Sequence, residues 1–533
     1  MSPFTSLQGE YNVARRPVMS RNMVATSHSL SAQAGLRMLL KGGSAADAAI
    51  ASAICQTVVE PTSTGVGGDA FAIVSDTTGE LHGLNASGRA PAAWTSDRFA
   101  GRETMPPRGW DSVTVPGAVS GWVALWKRFG RLPFPELFAP AIEYARNGFH
   151  VTPTVAALWL REAKEIATEP GFAETFLPRG RAPEAGELFV NTHLAVSLER
   201  IAQTEGEDFY RGAIAQKIAE HSRLHGGAMT TNDLAAHTAD WTTTLLRKFR
   251  GVELHELPPN GQGVTALMAL GMLDHVGIEN HHPDSAQAMH LQIEALKLAF
   301  ADVHAHVADP ASMAIDRHRL LDDDYLRKRA RLIDPERAST NPSTGIPTHG
   351  STIYVAAADR QGMMVSFIQS TFVGFGSGIV VSGTGIHLQN RGAAFSLEAG
   401  HPNQVGPSKR PLHTIIPAFL NKAGKPLMSF GVVGGPMQPQ AHVQLVLRTQ
   451  LFRQNPQAAL NAPRWLVMDG NRVAVETTMP RQELEALRAL GHDLIMQTPD
   501  NTFGFGGGQI IQRFGDGYIG ASDHRKDGMV VGF

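Results

Sequence analysis

A thirteen-residue run, Gly350-Ser-Thr-Ile-Tyr-Val-Ala-Ala-Ala-Asp-Arg-Gln-Gly362, restricts this chain more than any other stretch. Thr352 opens a block of β-branched and small residues. Asp359 to Gly362 turns the chain on a residue that tolerates positive φ, and Met363 to Ser370 returns in strand-like alternation. The pattern predicts a β-hairpin with a threonine at its first residue. A threonine hydroxyl is a poor nucleophile unaided, but a cut in the peptide bond before Thr352 supplies its own α-amine as the base. Such chemistry needs no distant histidine. Residues 334 to 351 are rich in Pro, Gly, Ser and Thr without apolar periodicity, and read as a flexible linker ending at the cut between Ser351 and Thr352.

Net charge narrows the partners. At −2, with an isoelectric point near 6.9, the chain has no basic field for nucleic acid or an anionic membrane, so a small-molecule substrate is expected. The single cysteine, Cys55, lies in an apolar run and reads as core packing, with no intramolecular disulfide. The first thirty residues hold Arg15, Arg16 and Arg21 but no apolar segment of roughly 7 to 15 residues, and no stretch approaches about 18 apolar residues. A cytoplasmic protein is therefore expected, with no membrane span.

Helical patterns are predicted at Ser29 to Leu40, stopped by Gly42-Gly43, and at Ala45 to Val59 after Ser44, where Asp47 reads as a macrodipole partner. Gly65-Val-Gly-Gly68 enters a strand, Asp69 to Ser75, paired with Leu81 to Leu84; Asn85 to Pro91 follows as a loop available to line a site. From Val119 to Ile333 helices dominate, including Pro135 to Asn147, Leu194 to Thr204 and Ala286 to His306, separated by turns such as Pro258 to Gly263. Beyond Thr352 short strands prevail: Gly378 to Val381, Ile415 to Leu420, Leu427 to Gly431, Arg472 to Glu476, Gln509 to Arg513 and Gly517 to Ala521. Helices are expected at Pro439 to Arg453 and Pro480 to Leu490.

Other chemistries find little support. No His-Glu-x-x-His pair or Cys/His cluster occurs, so neither metal nor cofactor is expected. Gly-x-Ser-x-Gly is absent. Gly374 to Gly378 superficially suggests a nucleotide loop, but a β-like run follows where a helix is needed. Val432-Val-Gly-Gly-Pro436 precedes a helix, and its N–H groups suit a developing negative charge as well as an ordinary turn.

The hairpin, with Phe375-Gly-Ser-Gly378, Gly385-Ile-His-Leu-Gln-Asn390, Gly406-Pro-Ser-Lys-Arg-Pro411 and Gly434-Gly435, resembles in order and spacing the γ-glutamyltransferase family of N-terminal nucleophile hydrolases. Upstream, Ala34 to Ala49, Gly65 to Phe71, Val115-Pro-Gly117 and Ala299 to Asp302 resemble its large-subunit signatures. The resemblance implies an α+β fold, an αββα sandwich built jointly by a large subunit, 1–351, and a small one, 352–533, which stay associated as a heterodimer. It implies Thr352 as nucleophile, Ser370 as the hydroxyl beside it, and Gly434 and Gly435 as oxyanion donors. Association beyond the two subunits is left open.

Departures from the family pattern bear on substrate. Phe372 stands where glutathione-using members carry an asparagine contacting the γ-glutamyl group. Arg391-Gly-Ala-Ala-Phe395 replaces Gln-x-Asp-Asp-Phe, so Ala394 takes the place of the aspartate on the substrate ammonium. Ser87 occupies the position of the carboxylate-binding arginine, with Arg89 two residues on, and His413-Thr414 replaces a pair of serines. An ammonium without its acidic partner is costly in a closed site, whereas Arg391 adds a fork suited to a carboxylate. The pattern is similar to side branches acting on oxamate or glutaryl amides. The expected activity is hydrolysis of linear amides, with acyl transfer as a side activity. A glutathione hydrolase or γ-glutamyltransferase with a rearranged pocket, and a noncatalytic binding protein on the same fold, stay open as alternatives.

Overall fold

The computed structural model describes residues 15–340, 351–497 and 504–533. The hairpin forms as its pattern predicts, though displaced by a residue or two. Ser351–Ala358 pairs antiparallel with Met364–Phe372 across a turn in which Gly362 takes a φ of +101°. Ser351 is thus already strand, and it pairs with Phe372. The expected linker is anchored at its start, since the Ala338 N–H donates to Leu490 O at 2.7 Å and the Ser339 N–H to Glu294 Oε2 at 3.0 Å. Its stretch 341–350 lies outside the described residues.

Two seven-stranded antiparallel sheets carry the molecule. One runs Met529–Gly532, Met23–Thr26, Ser351–Ala358, Met364–Phe372, Asp69–Ser75, Leu81–Ala86, Asp240–Thr242. The other runs Val18–Ser20, Gly517–Ser522, Gly508–Phe514, Lys425–Val432, Ala418–Lys422, Val252–Glu256, Leu245–Phe249. Period-2 alternation explains their packing. Tyr354, Ala356 and Ala358 join Phe419 and Ile511 of the other sheet, whereas Ile353, Val355 and Ala357 face the opposite way, into a cluster with the helix Ala45–Val59. The second sheet's Leu420, Phe430 and Ile510 pack against the helices Val264–Leu273, Ala286–His306 and Met437–Val446. Each sheet draws strands from both sides of the Ser351–Thr352 bond.

Local sequence accounts for the helix bounds. All fifteen residues of Ala45–Val59 are buried, Cys55 among them, and Asp47 does more than oppose a dipole: it closes a capping box with Ser44. The helix expected from Pro439 begins earlier, at Met437, and continues as a π-helical turn, Leu447–Leu451. Ile415 to Leu420 is strand only from Ala418. Among the described residues no helix is long and apolar enough to cross a membrane.

Candidate active site

Thr352 sits where the hairpin's register slips. Ser351 pairs with Phe372 and Ile353 with Gln369, so this single residue faces Ser370 and Thr371. The bulge aims its side chain inward, 2 % exposed, and Thr352 Oγ1 donates to Ser370 Oγ at 3.2 Å. Ser370 Oγ in turn donates at 2.5 Å to Ser351 O, the carbonyl of the bond before Thr352, and accepts from the Phe372 N–H at 2.8 Å. One hydroxyl therefore bonds both the Thr352 hydroxyl and the carbonyl of the preceding peptide bond. Phe372 is left with a φ of +83°, uncommon for a residue with a side chain.

Gly434 and Gly435 follow the strand Lys425–Val432 at φ of +118° and +58°, a turn that favours glycine. Among the described residues neither N–H has an acceptor, while the carbonyls accept from Met437 and Gln438 at the start of the next helix. Gln262, from the turn after Glu256, braces this loop. Its Nε2 donates to Gly435 O at 3.0 Å and to Thr414 O at 2.6 Å.

A buried charge cluster lies behind the hairpin. Asp69, the cross-strand neighbour of Ser370, accepts N–H bonds from Gly88 and Gly117 on Oδ1 and faces His413 Nε2 at 3.1 Å on Oδ2. The Ile415 N–H donates to His413 Nδ1, so the ring hydrogen sits on Nε2 and points at Asp69. Burial pushes the Asp69 carboxyl up to about 7 against the pull of Arg391; burial first, then Arg391 and Arg410, holds His413 well below its ordinary value. Between an ordinary aspartate's pKa of 3.8 and about 7, the folded state keeps a proton that the unfolded state has released. Asp69's contribution to stability therefore falls as pH rises through that window and is level above it. The stability difference between the protein and Asp69→Asn in urea should shrink from pH 5 to pH 8. A constant difference shows Asp69 to be ionised throughout.

Arg391 is fully buried, stacks on the Phe372 ring at 4.1 Å and donates from Nη1 to Thr414 Oγ1 at 2.8 Å; Nε and Nη2 have no partner among the described residues. Burial lowers its pKa to about 9, with Asp69 acting in the opposite direction. Phe372 and Thr414 both border a largely apolar cavity of about 810 Å³, which Arg391 reaches only behind them. Arg89 turns elsewhere: its side chain, 45 % exposed, donates to Asp309 Oδ2 and Ser408 O, each at 3.2 Å. Ser87 is tied to Asn85 and Asn260, and His413 is occupied with Asp69. Contacts link Thr352 through Ser370 to Phe372, Phe372 to Arg391, Arg391 to Thr414, and Thr414 through Gln262 to Gly435. Of the predicted site residues, however, only Phe372 and Thr414 line the cavity; Thr352, Ser370, Gly434, Gly435, Arg391, Arg89 and His413 do not.

Several contributors escaped the sequence reading. Arg108 Nη1 donates to the carbonyls of Val373, Gly374 and Gly376, fixing the loop after the hairpin, and Asn390 bridges Val373 N and Pro107 O. The signals existed: Asp69 closes the Gly65-Val-Gly-Gly motif, and Gln262 sits in the Pro258 to Gly263 turn. No spacing rule, however, announces His290, Glu294 and His492, whose ligand atoms lie within 4.8 Å of one another. Lys297 pairs with Glu294 at 2.8 Å and His290 Nδ1 bonds His492 Nε2 at 2.8 Å, while His492 Nδ1 has no partner among the described residues.

The sequence pattern of the family described as Gamma-glutamyltranspeptidase matches residues 31–533. The chain is 37% identical over 523 residues to the Glutathione hydrolase-like YwrD proenzyme of Bacillus subtilis, spanning 96% of this chain and 98% of that one. It is 35% identical over 528 residues to the Oxamate amidohydrolase proenzyme of Klebsiella pneumoniae, spanning 97% and 99%. Among solved structures, cephalosporin acylase from Bacillus halodurans superposes with a TM-score of 0.95 at 45% identity, covering 100% of this chain and 99% of that one.

Proposed function

Because this chain belongs to the gamma-glutamyltranspeptidase family and is a hydrolase of amide bonds, we propose that it is an autoprocessing amidohydrolase acting on small acyl groups that bear a carboxylate. Cleavage falls between Ser351 and Thr352. It gives subunits 1–351 and 352–533 that share an αββα sandwich and stay interleaved through both sheets, a reading supported by strands from each side of the bond in either sheet. In turnover Thr352 Oγ attacks the substrate carbonyl, its α-amine takes the proton and returns it to the leaving nitrogen, and the N–H groups of Gly434 and Gly435 hold the oxyanion. Water then releases the acyl group from Thr352.

The observation that carries the substrate reading is Arg391, a buried guanidinium whose Nε and Nη2 have no partner among the described residues, behind the cavity-lining Phe372 and Thr414. Phe372 covers it here, in a positive-φ conformation and paired to Ser351. Cutting the chain after Ser351 releases that pairing, lets Phe372 relax, and gives a substrate carboxylate access to Nε and Nη2. A cavity of about 810 Å³ is the size taken by drug-like ligands, so a glutaryl-type amide with a bulky amine fits better than oxamate. A glutathione hydrolase is favoured by the names of several relatives, but Ala394 leaves the γ-glutamyl ammonium without its acidic partner.

Kinetics on matured Arg391→Ala test the reading. Losing a charged hydrogen bond should lower kcat/KM for carboxylate-bearing amides at least about thirtyfold, with neutral amides of similar size little affected and Arg391→Lys in between. Equal losses on both substrates make Arg391 structural. A γ-glutamyl anilide as best substrate of the unmodified enzyme defeats the loss of the ammonium site.

A further inference from the structure

Gln262 is 4 % exposed and borders the cavity from the large-subunit side of the Ser351–Thr352 bond. Its backbone is fixed, because the Gln262 N–H donates to His413 O at 2.9 Å and Gly261 bridges to His413. The side chain is fixed as well. With Nε2 donating to Thr414 O at 2.6 Å and Gly435 O at 3.0 Å, the amide has one orientation, since the reversed one sets an oxygen against two carbonyl oxygens. Oε1 is then the polar atom left over. It accepts no bond among the described residues, and Gln262 is one of the residues that border the cavity. Gln262 thus bonds the carbonyl of Gly435, one of the two glycines proposed to hold the oxyanion, from a position on the cavity wall.

We propose that Gln262 Oε1 accepts the hydrogen of the scissile amide N–H, and that this contact makes the site select amides over esters. The inference rests on the amidohydrolase reading above. As Thr352 Oγ bonds to the carbonyl carbon, the nitrogen turns pyramidal and its lone pair rotates toward the α-ammonium that will protonate it. The hydrogen already on nitrogen needs an acceptor in its new direction, and Oε1 supplies one. Gln262 transfers no proton: the C–N bond breaks with the Thr352 proton delivered through the α-amine, and the amine departs with its original hydrogen. An ester has nothing to donate at that position and gains nothing from Gln262.

Matured enzyme and Gln262→Met are compared on glutaryl p-nitroanilide and glutaryl p-nitrophenyl ester, with cleavage into two subunits as the check on folding. The amide-to-ester ratio of kcat/KM should fall roughly tenfold in Gln262→Met, the size of one neutral hydrogen bond. Equal losses on both substrates mean that Gln262 only braces Gly435, and overturn the proposal. A second measurement needs no variant: the N-methyl anilide, lacking the hydrogen, should react at least about tenfold more slowly than the anilide with the unmodified enzyme, and rates within twofold overturn it. Failure to hydrolyse any of the three acyl donors instead strikes the amidohydrolase reading.

Discussion

Thr352→Ala is expected to remain a single chain of full mass and to hydrolyse no amide. Self-cleavage through an acyl shift requires the Thr352 oxygen to attack Ser351 C, and turnover requires the same oxygen together with the α-amine that cleavage creates; one substitution removes both. The fold should persist, because the loss is a hydroxyl and a methyl at a bulge, at the end of a strand whose core residues begin at Ile353. Other groups that act as one catalytic unit show losses of a thousandfold or more when the nucleophile goes. Thr352→Ser keeps the hydroxyl and should cleave slowly. Intact mass after prolonged incubation decides: two subunits cut before residue 352 in Thr352→Ala remove Thr352 as the agent.

Sequence displayed this hairpin because its determinants are local. A β-branched run, a turn ending in Gly362 and an alternating return strand sit within about twenty residues, and Ser44 and the small residues of Ala45–Val59 mark a helix just as directly. The order of strands in the sheets was not visible, since Met23–Thr26 meets Ser351–Ala358 across more than three hundred residues. Side-chain direction failed for the same reason. Arg89 lies beside a motif position, yet Asp309 and Ser408, both more than two hundred residues away in sequence, decide where it turns. His413 stands in a motif position that bears on substrate, but Asp69, 344 residues away in sequence, accepts its ring hydrogen. Arg391 combines both cases: its presence and charge were legible, whereas the Phe372 ring that covers it depends on a φ that no residue pattern advertises.

Ser370→Ala should slow self-cleavage by about a hundredfold to a thousandfold, the usual cost of removing one donor from an oxyanion site. The hydroxyl stands between both reacting partners: it accepts from Thr352 Oγ1 at 3.2 Å and donates to Ser351 O at 2.5 Å. When Thr352 Oγ adds to Ser351 C, charge collects on Ser351 O, where this donor already points, so the bond strengthens as the barrier is climbed. In the proposed turnover Gly434 and Gly435 serve the later reaction, in which the carbonyl is the substrate's. Cleavage and turnover therefore separate at these positions. Ser370→Thr keeps the donor and should mature at close to the normal rate; Ser370→Ala leaves the Thr352 hydroxyl in place, so cleavage persists slowly. The Phe372 N–H loses an acceptor in Ser370→Ala and some stability goes with it, so the time course is read together with urea unfolding of the uncleaved chains. A cleavage half-time within threefold of the unmodified protein, at matched stability, shows that the Ser370 to Ser351 contact does not polarise the scissile carbonyl.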